Sequence, residues 1–200
     1  MAGAGAVMSW PFDPLPPLSF DLIMGDPPWA FSLRSAKGEA KSAQAQYGCM
    51  SLDAIKALPV AHLARQDALL WLWATHPMLP QALAVMAAWG FSFTTSGVWV
   101  KTTPGGKLAF GTGYVLRSAS EPFLIGKFGR PRTARDVRTV IVAPAREQSR
   151  KPDQPYEAAE ALATGATRRA DLFSRETRAG WEAWGAEAGL FDPPAVQAAE

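Results

Sequence analysis

The stretch Phe20-Asp21-Leu22-Ile23-Met24-Gly25-Asp26-Pro27-Pro28-Trp29 decides the fold. Its first half is an apolar run interrupted only by Asp21, short enough for a strand buried inside a sheet. Its second half stops that strand. Pro27 and Pro28 lack the N–H that a ladder needs, and each fixes its own φ. The chain must therefore turn through a stiff corner just past the strand's carboxyl end, the edge of an open α/β sheet where ligands bind. Asp26 is expected there with few conformations open to it, and Trp29 beside it.

A carboxylate, a rigid carbonyl and an aromatic face suit the exocyclic amine of a nucleobase. The amine's lone pair is delocalised into the ring, which makes it a poor nucleophile. Acceptors at Asp26 and at the Pro27 carbonyl would take hydrogen bonds from its two N–H groups and localise electron density on nitrogen. Trp29 would stack on the base, a contact of about 1–3 kcal/mol. The bland alternative is a proline-rich turn after an edge strand.

Working outward, 200 residues suit one domain with a substantial core. The boundaries expected are an irregular lead-in over 1–19, a single domain over 20–191 and a tail over 192–200. A hydrophobic content of 48% with 17 glycines and 17 prolines reads as globular and loop-rich. One cysteine, Cys49, excludes an internal disulfide framework, and His62 and His76 stand apart without partners at ligand spacing, so no metal is expected. The longest strongly apolar run, Ala68 to Ala74, is too short to span a bilayer, and the first residues lack the pattern of a signal peptide. A cytoplasmic protein is expected.

The net charge of +2 hides an asymmetry. From Lys101 to Lys151 there are 11 Lys and Arg against three acids, Glu121, Asp136 and Glu147, while the rest of the chain is acidic on balance. A basic middle suggests a surface that faces a polyanion. Lys127, Arg130, Arg132, Arg135 and Arg138 would touch nucleic-acid backbone, contacts that set affinity and salt dependence rather than sequence choice. Solvated loop charge is the competing reading.

The other elements are short. Ala30 to Tyr47 has no clean period and reads as a long polar loop, a gate over the Asp26 corner. Ser51 is expected to cap a helix through Leu58, and Pro59 to end it. Ala68 to Ala74 is a buried strand with Trp71 and Trp73 on one face. A helix is expected from about Met78 to Trp89, with Leu79, Leu83, Met86 and Ala87 inward and Gly90 as its stop. Strands are expected within Phe91–Lys101, Pro122–Gly126, Val137–Val142 and at Ala170, and a helix from Pro152 and Asp153 to about Ala163. Gly111-Thr112-Gly113 lacks the context of a phosphate loop.

Asp26-Pro27-Pro28-Trp29 resembles the signature of adenine-N6 methyltransferases of the MT-A (seventy-kilodalton subunit) family, in its bacterial and phage branch. Four further blocks follow in the family's order. Tyr47-Gly48-Cys49-Met50 resembles its Tyr-x-x-Met segment; Leu69 to Lys101 is similar in its tryptophans and spacing. Tyr114, Arg117 and Glu121 stand as in its Gly-Tyr-x-x-Arg-x-x-x-Glu block, and Ser149-Arg150-Lys151-Pro152-Asp153 matches its Ser-x-Lys-Pro-Asp element. The segments Arg175 to Trp181 and Trp184 to Glu187 resemble the bacterial members.

The resemblance implies a Rossmann-like fold, a mostly parallel sheet with helices on both faces, with the catalytic block ahead of the cofactor block. It implies transfer of a methyl group from S-adenosylmethionine to adenine N6 in nucleic acid, DNA favoured over RNA. Asp26, Pro27, Pro28 and Trp29 would be catalytic; Tyr47, Tyr114, Arg117 and Glu121 would bind substrate. Asp26, Lys151, Phe173, Ser174, Arg175 and Glu187 would bind the cofactor, Lys151 through its carboxylate. A second copy or a heterologous subunit is a further expected partner. The chain departs from the family at Ala186, where an asparagine is usual, and upstream of the strand expected at Phe20, where Asp13 is the nearest acid and no clear counterpart of the family's adenine-binding acid stands. A non-catalytic nucleic-acid-binding subunit is the alternative; a nicotinamide dehydrogenase lacks its glycine fingerprint.

Overall fold

A computed structural model describes residues 10–30, 49–113, 115–147 and 150–193. Phe20–Gly25 forms β1, as its apolar run predicts, and lies between β2 (Ala64–Trp73) and β6 (Arg169–Leu172), parallel to both. A strand flanked on both edges and covered on both faces has no polar side to show. This is why its pattern is near-continuous rather than alternating.

Four more strands build the sheet outward from there. β3 (Ser92–Thr102), β4 (Ser120–Phe128), β5 (Val140–Pro144) and β7 (Glu182–Trp184) complete the order β5-β3-β4-β2-β1-β6-β7. Only β4 runs against its neighbours. The fold is α/β with a mostly parallel sheet, consistent with a Rossmann-like methyltransferase.

Side chains alternate across this sheet and build two cores. On one face Ile23, Leu70, Leu72 and Leu124 pack with Ile55 of α1 (Leu52–Lys56) and with Ala82, Val85 and Met86 of α2 (Leu79–Ala88). On the other, Leu22, Met24, Trp71, Trp73 and Trp99 pack with Ala159 of α3 (Gln154–Leu162). Helices thus cover both faces.

Several expectations shift. α1 is capped as predicted, Ser51 Oγ accepting from Ala54 N at 3.1 Å. The inward stripe of α2 is Ala82, Val85 and Met86, whereas Leu83 and Ala87 are exposed, so the helix is rotated from the predicted face. β2 begins four residues early, at Ala64, which pairs with Phe20; Arg65, Gln66 and Asp67 are exposed where the β1–β2 register shifts, so they show none of the apolar run that marks the rest of the strand. α3 starts at Gln154 with Pro155, not Pro152, in its first turn. β7 was not foreseen; three residues are too few to show a period. Residues 10–19 carry no regular element, yet Phe12 and Leu15 are buried in the first core, which therefore reaches back before Phe20. No helix among the described residues is long and apolar enough to cross a membrane. The expected gate, Tyr47 and Tyr114 lie outside the described residues.

Candidate active site

Strand register brings the site together. Gly25 pairs with Leu172 of β6 and with Leu72 of β2, so the next residues, Asp26, Phe173 and Trp73, emerge side by side at the carboxyl edge. Trp73 pairs in turn with Phe123, two residues from Glu121. β1 lies here between β2, the next strand in the chain, and β6, which comes much later, so the strand order reverses at β1. Such a reversal of strand order opens a crevice.

The corner itself is held by main-chain bonds. Asp26 N donates to Leu172 O at 3.2 Å, and Trp29 N closes a tight turn onto Pro27 O at 2.8 Å. One lone pair of the Pro27 carbonyl is thus taken, and its second remains for another donor. Trp29 is only 5% exposed and packs with the first core, its indole N–H without a partner among the described residues. It anchors the corner; stacking on a base would require that its face be uncovered.

From Asp26 a chain of alternating charges runs inward. Lys151 Nζ stands 2.5 Å from Asp26 Oδ2 and 3.1 Å from Glu121 Oε1, and Lys101 Nζ stands 2.6 Å from Glu121 Oε2. The side chain of Lys151 is 7% exposed, that of Asp26 29%. Burying an ammonium costs several kcal/mol, about what two carboxylates at this range offset. The face of Trp73 lies 5.2 Å from Lys151 Nζ, and that of Trp99 4.6 Å from Lys101 Nζ. These tryptophans, read as core from sequence, are core and also a floor for the cations.

Protonation follows from this geometry. Burial pulls the Lys151 ammonium toward neutrality, but Asp26 and Glu121 outweigh it and hold its pKa above the usual lysine value. Burial raises the Asp26 carboxyl above its ordinary value, with Glu121 adding to it and Lys151 opposing. Burial likewise pushes Glu121 up, and there the two lysines prevail and hold it low.

Next to this chain is a cleft lined by Asp26, Lys151, Asp171, Phe173, Ser174 and Arg175, together with Arg150, Tyr156, Glu176, Arg178 and Phe191. Phe173 has φ +64°, the left-handed region that costs a residue with a side chain about 1–3 kcal/mol. Ser174 holds the strained corner, its hydroxyl donating to Asp171 Oδ2 at 2.9 Å and its N–H to Trp184 O at 3.0 Å. Tyr156 of α3 donates its hydroxyl to the same Asp171 oxygen at 2.9 Å. Burial raises the Asp171 carboxyl to about 6, against the opposing pull of those two hydroxyls. Arg175 is paired with Glu187 at 2.8 Å.

Of the residues singled out in sequence, Asp26, Lys151, Phe173, Ser174 and Arg175 line this one cleft, Glu121 joins it through Lys151, and Glu187 through Arg175. Arg117 does not join them: it is exposed on the loop between β3 and β4, its guanidinium 5.2 Å from the centroid of Phe110. Asp13 is exposed and no part of the cleft lining. Lys101, Tyr156 and Asp171 were missed. The strand-end position of Asp171, just before Leu172-Phe173-Ser174, was the available signal.

Arabidopsis thaliana has a relative named N(6)-adenosine-methyltransferase MT-A70-like, 33% identical over 82% of this chain and 23% of its own length. The human N(6)-adenosine-methyltransferase catalytic subunit METTL3 is 30% identical over 78% of this chain and 26% of its own length. The type II methyltransferase M.MunI of Mycoplasma sp is 28% identical over 88% of this chain and 81% of its own length. The chain thus spans about a quarter of the plant and animal relatives it matches. A family model described as MT-A70 matches residues 20–187, from the first residue of the strand that carries Asp26 to the partner of Arg175, and the chain belongs to that family.

Proposed function

We propose that the chain transfers a methyl group from S-adenosylmethionine to the N6 amino group of adenine in nucleic acid, DNA in preference to RNA. The single observation that carries this reading is the meeting of Asp26 with Lys151 at the mouth of the Phe173–Arg175 cleft. The donor set fits the cofactor: Lys151 and Arg175 for its carboxylate, Asp26 and Asp171 for its ammonium, and the bent Phe173–Ser174 main chain for its ribose. Glu187, by holding Arg175, supports the same end. The missing amide at Ala186 leaves one hydrogen bond fewer than the family pattern supplies.

When bound, the cofactor supplies a sulfonium methyl, an electrophile that needs no metal or covalent enzyme intermediate. The protein's residues do the rest. A flipped-out adenine presents its amine to Asp26 and to the second lone pair of the Pro27 carbonyl. These acceptors draw on the two N–H groups and aim the nitrogen lone pair at the cleft; the proton that N6 sheds on methylation passes to Asp26, which is 29% exposed, and from it to solvent. The prolines Pro27 and Pro28 keep them from relaxing away, so orientation and preorganised charge provide the rate gain. Lys151 must release Asp26 for this, and Glu121 is placed to keep it. Tyr47 and Tyr114 would meet the base, and the exposed Arg117 a phosphate farther along the strand.

DNA is favoured because a type II methyltransferase is among the relatives this chain resembles, 28% identical over 88% of this chain. Lys127, Arg130, Arg132, Arg135 and Arg138 supply the basic surface. The test is incubation of the purified chain with labelled cofactor and either DNA or RNA, followed by digestion and mass analysis of nucleosides. Labelled N6-methyldeoxyadenosine is the expected product. Label confined to RNA would reverse the substrate preference. Cofactor and nucleic-acid binding with no transfer to either would replace the enzyme by the non-catalytic subunit that Ala186 favours.

A further inference from the structure

Arg178 sits where three segments meet, and the proposed reaction makes no use of it. Its side chain is 13% exposed. It donates to Asp153 Oδ1, to Glu176 Oε2 at 2.7 Å and to the carbonyl oxygen of Lys151 at 3.3 Å. Its Cζ lies 4.0 Å from the centroid of Tyr156, the ring whose hydroxyl reaches Asp171. One guanidinium therefore touches the residues before α3, the first turn of α3 and the loop after β6.

Two further observations show what this clamp holds. Asp153 occupies the position before α3 where a carboxylate ordinarily caps free N–H groups. It makes no capping bond and is given over to Arg178 and Arg146. Glu176 is likewise shared between Arg178 and Arg150, whose Nη2 approaches Oε1 at 2.5 Å. The segment 150–153 is thereby stitched to 176–178 along the lining of the cleft, and Lys151 lies within the stitched segment.

We propose that Arg178 is a positioning residue: it fixes the Lys151 main chain and so sets where the Lys151 ammonium stands relative to Asp26 and the cofactor. A lysine could not replace it, because a point charge lacks the planar fork that serves three acceptors while stacking on a ring. The inference rests on the reading of Lys151 as a cofactor-binding residue.

The test is calorimetric titration of S-adenosylmethionine into the full chain and into Arg178→Met, Arg178→Lys, Lys151→Met and the Lys151→Met/Arg178→Met double variant. Both Arg178 variants are expected to bind about tenfold more weakly, with the cofactor KM raised and the nucleic-acid KM unchanged. In the Lys151→Met background the second substitution should cost nothing more, the signature of one residue acting through the other. Unchanged affinity in the Arg178 variants, or losses that simply multiply in the double variant, would overturn the inference alone. A wild-type chain that binds no cofactor would overturn the reading of the site and the inference with it. Should Arg178→Met fail to fold, Asp153→Asn at the half-exposed end of the clamp carries the test: threefold weaker binding supports it, unchanged binding refutes it.

Discussion

Lys151 Nζ lies 2.5 Å from Asp26 Oδ2, so the carboxylate placed to receive an amine is already engaged by an ammonium. The pair is not a closed one. Glu121 stands 3.1 Å from the same ammonium and is itself steadied by Lys101. A cation between two acids can change its allegiance without losing a partner, and that lets Asp26 be paired at rest yet available in turnover.

Replacing Asp26 should therefore remove the chemistry without removing the fold. Asp26→Asn is expected to lower kcat by at least about 10²–10³-fold, the scale on which single preorganised groups act, and Asp26→Ala to abolish transfer. Lys151 keeps Glu121, and Asp26 is 29% exposed, so the stability loss should stay near 1–3 kcal/mol. Cofactor titration should show weakened but measurable binding. Turnover retained in Asp26→Ala would remove the mechanism.

Lys151→Met makes the opposite prediction for pH. It leaves Asp26 and Glu121 facing each other, with Lys101 on Glu121 and the charge of Arg175 near Asp26 as the remaining offsets, which pushes Asp26 further above its ordinary value. Asp26 acts as an acceptor while ionised, so the acid limb of the activity profile should move to higher pH, beyond a loss of cofactor affinity. A pH profile of kcat with saturating cofactor measures this. An unmoved acid limb would show that Lys151 does not set the charge state of Asp26.

What the sequence could and could not show follows the range of the interactions involved. β1 and the Pro27-Pro28 corner are written in ten consecutive residues, because a buried strand and two fixed φ angles are local facts. The capping of α1 by Ser51 was local too. The Lys151–Asp26 contact joins residues 125 apart in the chain; family resemblance assigned both residues to one site, but neither it nor the spacing predicted their ion pair. The bend at Phe173 and the hydroxyls on Asp171 had no such aid. A left-handed residue with a side chain is chosen by its surroundings, and Tyr156, Ser174 and Trp184 come from three different elements. The rotation of α2 escaped for a related reason: alanines and leucines leave a helix face ambiguous until the sheet beneath it is known.

That bend makes Gly185 a sensitive position. A Cβ there would lie 3.0 Å from both Cα and C of Phe173 and 3.1 Å from Ser174 N, all main-chain atoms. In Gly185→Ala the Phe173 corner or the Gly185 segment must give by a few tenths of an ångström. The expected cost is about 1–3 kcal/mol of stability, read by denaturant melts, together with a cofactor affinity reduced about tenfold. A variant that binds cofactor as the wild type does would show that this corner is not part of the site.

The neighbouring position tests the missing amide. Ala186 is exposed at the end of the same segment. Ala186→Asn is expected to restore one hydrogen bond to the cofactor, about 0.5–1.5 kcal/mol, or a roughly three- to tenfold gain in affinity by calorimetry. No gain would place the cofactor differently along this edge.

Burial raises the Asp171 carboxyl to about 6 from an ordinary 3.8. A group with this upward shift binds its proton more tightly in the folded chain than in the unfolded one. Below about pH 4 it is neutral in both states and exacts nothing. As pH rises through 4 to 6, the unfolded chain releases the proton first, and folding loses stability of order 3 kcal/mol. Asp171→Asn removes that titration while its amide oxygen can still accept from Tyr156 or Ser174. The difference in melting temperature, variant minus wild type, should therefore climb between pH 4 and 6.5 and level off above. A flat difference across that window would mean that the Tyr156 and Ser174 hydroxyls already compensate the buried charge in full.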